Sequence, residues 1–216
     1  MSKPVISAVL FDADGVIQRA PDFAHRIEKA FGVAPADLEG CIADIFSAEA
    51  PCLSGKADYA DALKPVLERW GVACDPHEFF AAWHLIDAHT GVLGLIETLR
   101  ASGVYCALAS NQEAHRARQM SHVLGYRNMF DAEFYSCEVG HAKPDPRYFH
   151  HILDRTGLDP RATLFVDDRT DNLDAARTVG LNTMHFALEG LPECADRLAA
   201  CLSAYDLRPL CVAPTR

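Results

Sequence analysis

The chain of 216 residues is short of basic charge: 20 Lys and Arg stand against 30 Asp and Glu, a formal net charge of -10. It has no basic run to neutralise a phosphate backbone, which excludes general nucleic-acid binding. No stretch approaches the roughly 20 consecutive apolar residues of a membrane helix. Met1 to Pro4 lacks both the charged and the apolar region of a secretory signal, so the expected location is the cytoplasm, off any membrane. Cysteine is present but unpaired in pattern: the eight residues at 41, 52, 74, 106, 137, 194, 201 and 211 contain no C-x-x-C and no regular spacing. They read as reduced thiols, several of them core fillers. Cys137 and His141 lie four apart with no second pair at zinc-finger spacing, and the ten histidines include no H-E-x-x-H. Internal repeats and low-complexity tracts are missing too. An acidic chain of this kind can hold an anion only with local positive charge, from a metal or from a few placed basic residues.

What is present divides into two textures. Half of the residues are apolar, enough for a sizeable core. From about residue 89 onward, β-branched or aromatic runs ("YCALAS", "AEFYS", "TLFVD", "NTMHF") alternate with helix-period segments. Gly103, Gly125, Gly157 and Gly180 fall where helix C-caps belong. That alternation predicts a parallel sheet covered on both faces. Between the first apolar run and residue 89, four segments carry apolar residues at three and four spacing ("DFAHRIEKAFG", "PADLEGCIADIFSA", "KADYADALKPVLERWG", "PHEFFAAWHLIDAH"), with no strand expected among them. Lys64-Pro65 predicts a kink or break in the third. The closing "RPLCVAPTR" is expected to trail off without fixed structure.

Chemistry concentrates at the predicted strand ends, where ligands bind in open parallel sheets. "AVLFDADGV" ends an apolar run on Asp12 and Asp14; "YCALASN" ends on Ser110 and Asn111; "KPDP" supplies Lys143; "TLFVDDRTDN" supplies Asp167, Asp168 and Asn172. Each piece has a plainer reading: an Asx turn, a helix cap, a loop entering a helix, a solvated cap. A calcium loop needs Glu where this chain has Phe23. Taken together, four carboxylates at one sheet edge repel one another unless a cation joins them. A hard divalent ion with oxygen ligands answers that need, and Mg2+ suits one or two carboxylates plus substrate phosphate oxygens. Ser110 and Lys143 then complete a phosphate clamp.

In their order and spacing these four motifs resemble the haloacid dehalogenase superfamily, in its phosphatase-like branch with a helical cap inserted after the first motif. The resemblance implies an α/β fold, a Rossmann-like doubly wound parallel sheet of order 5-4-1-2-3 with an inserted all-helical cap. It implies a core of residues 1–17 and 89–210, a cap of 18–88 and a tail of 211–216. Carried over by motif, Asp12 is the nucleophile and Asp14 the acid/base. Ser110, Asn111 and Lys143 hold the substrate phosphate, and Asp12, Asp14, Asp167 and Asp168 form the Mg2+ set. The chain departs from the family in having Arg169 where Ser is common and Asn172 where a second Asp is common. The implied activity is Mg2+-dependent hydrolysis of a small phosphorylated metabolite, such as a sugar phosphate, through an aspartyl-phosphate. Because a halide leaves without a proton, Asp14 and the acidic pair favour phosphoryl transfer over dehalogenation. A phosphomutase, a phosphonate hydrolase using a cap lysine, and a non-catalytic binding domain are the alternatives. Substrate choice would lie in the cap, where Gln18, Arg19, His25, Arg26, Lys56 and Trp83 are candidates, while Phe79, Phe80 and Trp83 lie at helical spacing and read as cap packing. Oligomeric state is left open.

Overall fold

Residues 5–20, 22–188 and 193–207 are described by a computed structural model of the chain. The first strand, β1 (Ala8–Phe11), is buried at all four positions, because both of its faces are covered. A two-residue strand β2 (Gln18–Arg19) follows, and then four helices: α1 (Phe23–Phe31), α2 (Leu38–Glu49), α3 (Tyr59–Arg69) and α4 (Pro76–Trp83). The chain returns through β3 (Asp87–Ala88) to α5 (Thr90–Ala101) and β4 (Tyr105–Ser110). The remaining elements are α6 (Ala114–Arg118), α7 (Tyr126–Met129), β5 (Ala132–Tyr135), α8 (Ser136–Val139), α9 (Pro146–Thr156), β6 (Thr163–Asp167), α10 (Thr170–Thr178), β7 (Asn182–His185) and α11 (Cys194–Ser203).

Five strands pair in parallel in the order β7-β6-β1-β4-β5. Counting only these core strands along the chain, the order is 5-4-1-2-3. Side chains alternate across the sheet. Val9 and Phe11 join one cluster with Ile96 and Leu99 of α5 and Leu198 and Leu202 of α11. Leu10 joins the other, with Phe149 and Ile152 of α9 and Leu173 and Ala176 of α10. Register then decides what meets at the carboxyl edge: Phe11 lies opposite Leu108 on one side and Val166 on the other. The residues that follow, Asp12 and Asp167, are neighbours beyond the last ladder positions. A slip of one residue would reverse every side chain of β1 between faces.

The helices between β2 and β3 bury a cluster of their own, with Ile27, Ile45, Leu63, Leu67, Phe79 and Phe80 at its centre. Phe79 and Phe80 therefore pack inside the cap, as their spacing predicts. The side chain of Trp83 lies outside the described residues, as does the 211–216 tail. Three expectations are corrected. The cap segment is not purely helical, because β2 and β3 pair antiparallel (Gln18 with Ala88, Arg19 with Asp87) and close it at its base. The fourth helix stops at Trp83, short of the predicted run, which frees Asp87–Ala88 for that pairing. The third runs unbroken through Pro65. Pro65 and Asp61, whose carbonyl loses its helical donor, are both exposed, so water can replace the missing bond.

Gly103, Gly125, Gly157 and Gly180 all take left-handed φ values between +69° and +92° at helix ends. Gly55 has a different duty: a Cβ there would lie 2.3 Å from the Cys137 carbonyl oxygen, so only glycine lets the cap turn at Cys52–Ser54 press on α8 of the core. Seven cysteines are among the described residues, all free thiols.

Candidate active site

Lys143 is brought to the sheet edge between β1 and β6, where its Nζ donates to Asp12 Oδ1 and Asp167 Oδ2, both at 2.8 Å. All three side chains are buried. Burial pushes the Asp12 carboxyl well up, and Asp167 adds to the rise, while Lys143 opposes it. Burial alone would lower the Lys143 ammonium, but the two carboxylates overturn that and leave it raised. Asp167 is further saturated by the Arg169 N–H at 2.8 Å and by Asn172 Nδ2 at 3.1 Å. Asp168 is half-buried, its carboxyl raised by burial and by Asp167.

One oxygen each from Asp12, Asp167 and Asp168 can be grouped within 4.8 Å. Beside them, the buried Asn172 Oδ1 has no hydrogen-bond partner. Three carboxylates and an orphaned carbonyl oxygen make a hard-oxygen donor set, the kind that magnesium takes. Gly15 makes room for it. Its φ is +85°, and a Cβ there would lie 2.3 Å from Asp168 Oδ2, so the D-x-D-G glycine is required by both its turn and its neighbour.

Asp14 is not part of that carboxylate group, although it is expected in the metal set. Its Oδ1 accepts from Arg116 Nη2 at 2.7 Å and Gln18 Nε2 at 3.0 Å, and its Oδ2 from Gln112 Nε2 at 2.7 Å. The two-residue spacing after Asp12 turns it toward the cap base and α6. Ser110, buried at the end of β4, accepts from the same Gln112 amide at 3.1 Å. Asn111, expected among the phosphate ligands, commits its side chain elsewhere. Its Nδ2 donates to the Lys143 carbonyl at 2.8 Å and its Oδ1 accepts from the Lys143 N–H at 2.9 Å. It fixes the backbone that carries the lysine.

These groups share a cavity of about 690 Å³ with a cap wall made by Phe23, Phe46, Glu49 and Leu53. Of the cap candidates named from sequence whose side chains are among the described residues, Arg19 alone lines it. Gln18 is wholly buried at the cap base, accepting from Tyr126 Oη at 2.7 Å. Arg26 donates to the Leu85 carbonyl, His25 pairs with Glu28, and Lys56 lies exposed along a separate groove. Sequence reasoning missed Glu49, Gln112 and Arg116. The signal for the last two was their distance of two and six residues beyond Ser110, in the loop after β4 and the first turn of the following helix. Glu113 caps that helix, accepting from the His115 and Arg116 N–H groups at 2.6 Å.

The family model of the haloacid dehalogenase-like hydrolases matches residues 6–180. The chain belongs to that family. The hydrolase is 23% identical over 192 residues to "Phosphorylated carbohydrates phosphatase" of Thermotoga maritima, covering 86% of this chain and 87% of that protein. It is 29% identical over 113 residues to "Sesquiterpene phosphatase astK" of Aspergillus oryzae, over 52% of this chain and about half, 54%, of that relative's length. Among solved structures, a HAD family enzyme of Bacteroides thetaiotaomicron, in complex with magnesium and inorganic phosphate, superposes with a TM-score of 0.72 at 22% identity, covering 83% of this chain and 93% of that one. That likeness is one of fold. No helix among the described residues is long and apolar enough to cross a membrane.

Proposed function

We propose that this hydrolase is a magnesium-dependent phosphatase of small phosphomonoesters, working through a phosphoryl group carried on Asp12. The observation that carries the reading is the placement of the Asp12 carboxylate: buried, held by Lys143 at 2.8 Å, grouped with Asp167 and Asp168, and lining the cavity together with Asp168. The phosphatase names of the relatives support the same reaction class. Asp12, Asp168 and Asp167, with Asn172 Oδ1 beside them, are the residues that would hold Mg2+. When bound, the ion neutralises the gathered carboxylates and the charge on the phosphoryl oxygens.

The chain's own groups do the rest. An Asp12 oxygen attacks phosphorus in line, and the bond to the alcohol oxygen breaks. Lys143, a fixed ammonium, keeps the carboxylate aimed and absorbs developing charge. Asp14 gives a proton to the departing alkoxide, then removes one from the water that attacks the phosphoryl group and releases Asp12 as a carboxylate. Such a role is worth about 10²–10⁴-fold. The bond from Arg116 Nη2 to Asp14 Oδ1 at 2.7 Å holds the acid/base in place beside the cavity. Ser110, buried at the strand end, lines the same cavity and would hold a phosphoryl oxygen there. The test is hydrolysis of p-nitrophenyl phosphate with magnesium, lost in EDTA and lost in Asp12→Asn. Undiminished turnover in that variant would remove the proposed nucleophile.

A further inference from the structure

The cavity has an acidic group left over. Each basic side chain lining it already has a carboxylate of its own: Lys143 has Asp12 and Asp167, Arg116 has Asp14, Arg19 has Asp87, and Arg169 has Asp171. Asp168 belongs to the metal group. Glu49 remains. It ends α2, its side chain lines the cavity, it is 9% exposed, and its carboxylate has no hydrogen bond or ion pair among the described residues. Arg116 attracts it from a distance, but a buried carboxylate without a hydrogen bond is costly, and such a group marks a place where a ligand supplies what the protein does not.

The surroundings narrow the ligand. Phe46 lies three residues before Glu49 on the same helix face, and at 49% exposure it is a large apolar side chain left open. Its ring sits 5.9 Å from that of Phe23, tilted by 53°, and both line the cavity. Two inclined aromatic rings beside a carboxylate are suited to a cationic nitrogen, which is drawn to the ring faces and to the negative oxygen together. An anionic leaving group would meet Glu49 with no uncommitted cation on the cap wall.

We propose that Glu49, Phe23 and Phe46 form the leaving-group subsite, and that it selects phosphomonoesters of alcohols bearing an ammonium group. This rests on the phosphatase reading for the position of the phosphate, and it adds which alcohol is accepted. Burial raises the Glu49 carboxyl to about 8 in the free protein, and an incoming cation would return it to the charged form.

The experiment compares phosphocholine with its uncharged carbon isostere, 3,3-dimethylbutyl phosphate, and with 2-phosphoglycolate, in the presence of magnesium. Calorimetric affinities and kcat/KM are both measured, on the full chain and on Glu49→Gln. The expected result is that phosphocholine exceeds its isostere by tenfold or more in both measures and that phosphoglycolate is the poorest. In Glu49→Gln the ratio of phosphocholine to isostere should fall to within threefold of unity. A ratio near one in the unsubstituted protein, or one unchanged by Glu49→Gln, overturns the subsite. If the binding ratio behaves as expected while no ester is hydrolysed, the subsite stands and the phosphatase reading fails. Hydrolysis of all three esters without discrimination upholds the reaction and removes the subsite.

Discussion

Replacing Glu49 by Gln removes a titration while keeping the shape of the side chain. Burial lifts the carboxyl from 4.5 to about 8; Arg116 pulls it back, and Glu113 and Asp14 push with burial. The unfolded chain releases this proton near 4.5, whereas the folded chain keeps it to about 8. Over that interval the native state binds more protons than the unfolded state, so the free energy of unfolding falls as pH rises. The slope is at most about 1.36 kcal/mol per pH unit. From 4.5 to about 8 that gives an upper limit of ~5 kcal/mol, fully present above pH 8 and absent below about pH 4. Glutamine cannot ionise and escapes the whole slope. Urea unfolding of both proteins in EDTA at pH 5, 7 and 9 reads the difference, and the other titrating groups cancel. The expected variant is slightly the more stable at pH 5 and gains with each step, exceeding the parent by at least ~1 kcal/mol at pH 9. A difference that is flat across pH, or a parent that is the more stable at pH 9, would refute the reasoning.

Two further outcomes follow from the buried charges and the tight turn. Lys143→Met leaves Asp12 and Asp167 buried without their ammonium, which should cost about 3–5 kcal/mol at pH 8. Because Asp12 is already pushed up by burial and Lys143 is its chief opponent, the loss should shrink toward pH 5 as the orphaned Asp12 carboxylate takes up a proton; a cost below ~1 kcal/mol at pH 8 in urea unfolding contradicts the triad. Gly15→Ala puts a methyl group 2.3 Å from Asp168 Oδ2 at a φ of +85°, so it should weaken magnesium binding in calorimetry by tenfold or more with the far-ultraviolet circular dichroism unchanged. Unaltered magnesium affinity would take Asp168 out of the metal set.

The sheet was legible because each core strand is a short apolar run that stops on polar residues, and two covered faces leave no other reading for "AVLF" or "TLFV". The meeting of Asp12, Lys143 and Asp167 was legible for the same reason, since strand ends in a parallel sheet share one edge. What the sequence hides is where a side chain turns after its strand ends. Asp14 is two residues from Asp12 yet bonds to Arg116 and Gln112, because these partners lie on α6 and in the loop before it, about a hundred positions away along the chain. Asn111 has the composition of a ligand and the geometry of a backbone clamp. The β2–β3 ribbon was missed because two residues in each strand carry no periodicity.

Glu49 shows why cap chemistry is the hardest part to read from sequence. Cys41 and Ile45 turn one face of α2 into the cap's apolar cluster, while Phe46 and Glu49 turn another toward the cavity. A helix pressed on two sides has no simple polar face, so a carboxylate in its last turn looks like a solvated end. The cap's separate cluster means that α2 is held by Ile45, Leu63 and Phe79 whatever residue stands at 49. Position 49 can therefore carry a charge for the leaving group without any cost to the sheet-edge machinery, whose Lys143 and Asn111 contacts lie wholly within the core. The same separation predicts that substitutions at 46 and 49 change which alcohol is accepted, and leave the nucleophile end of the reaction to Asp12, Lys143 and Asp167.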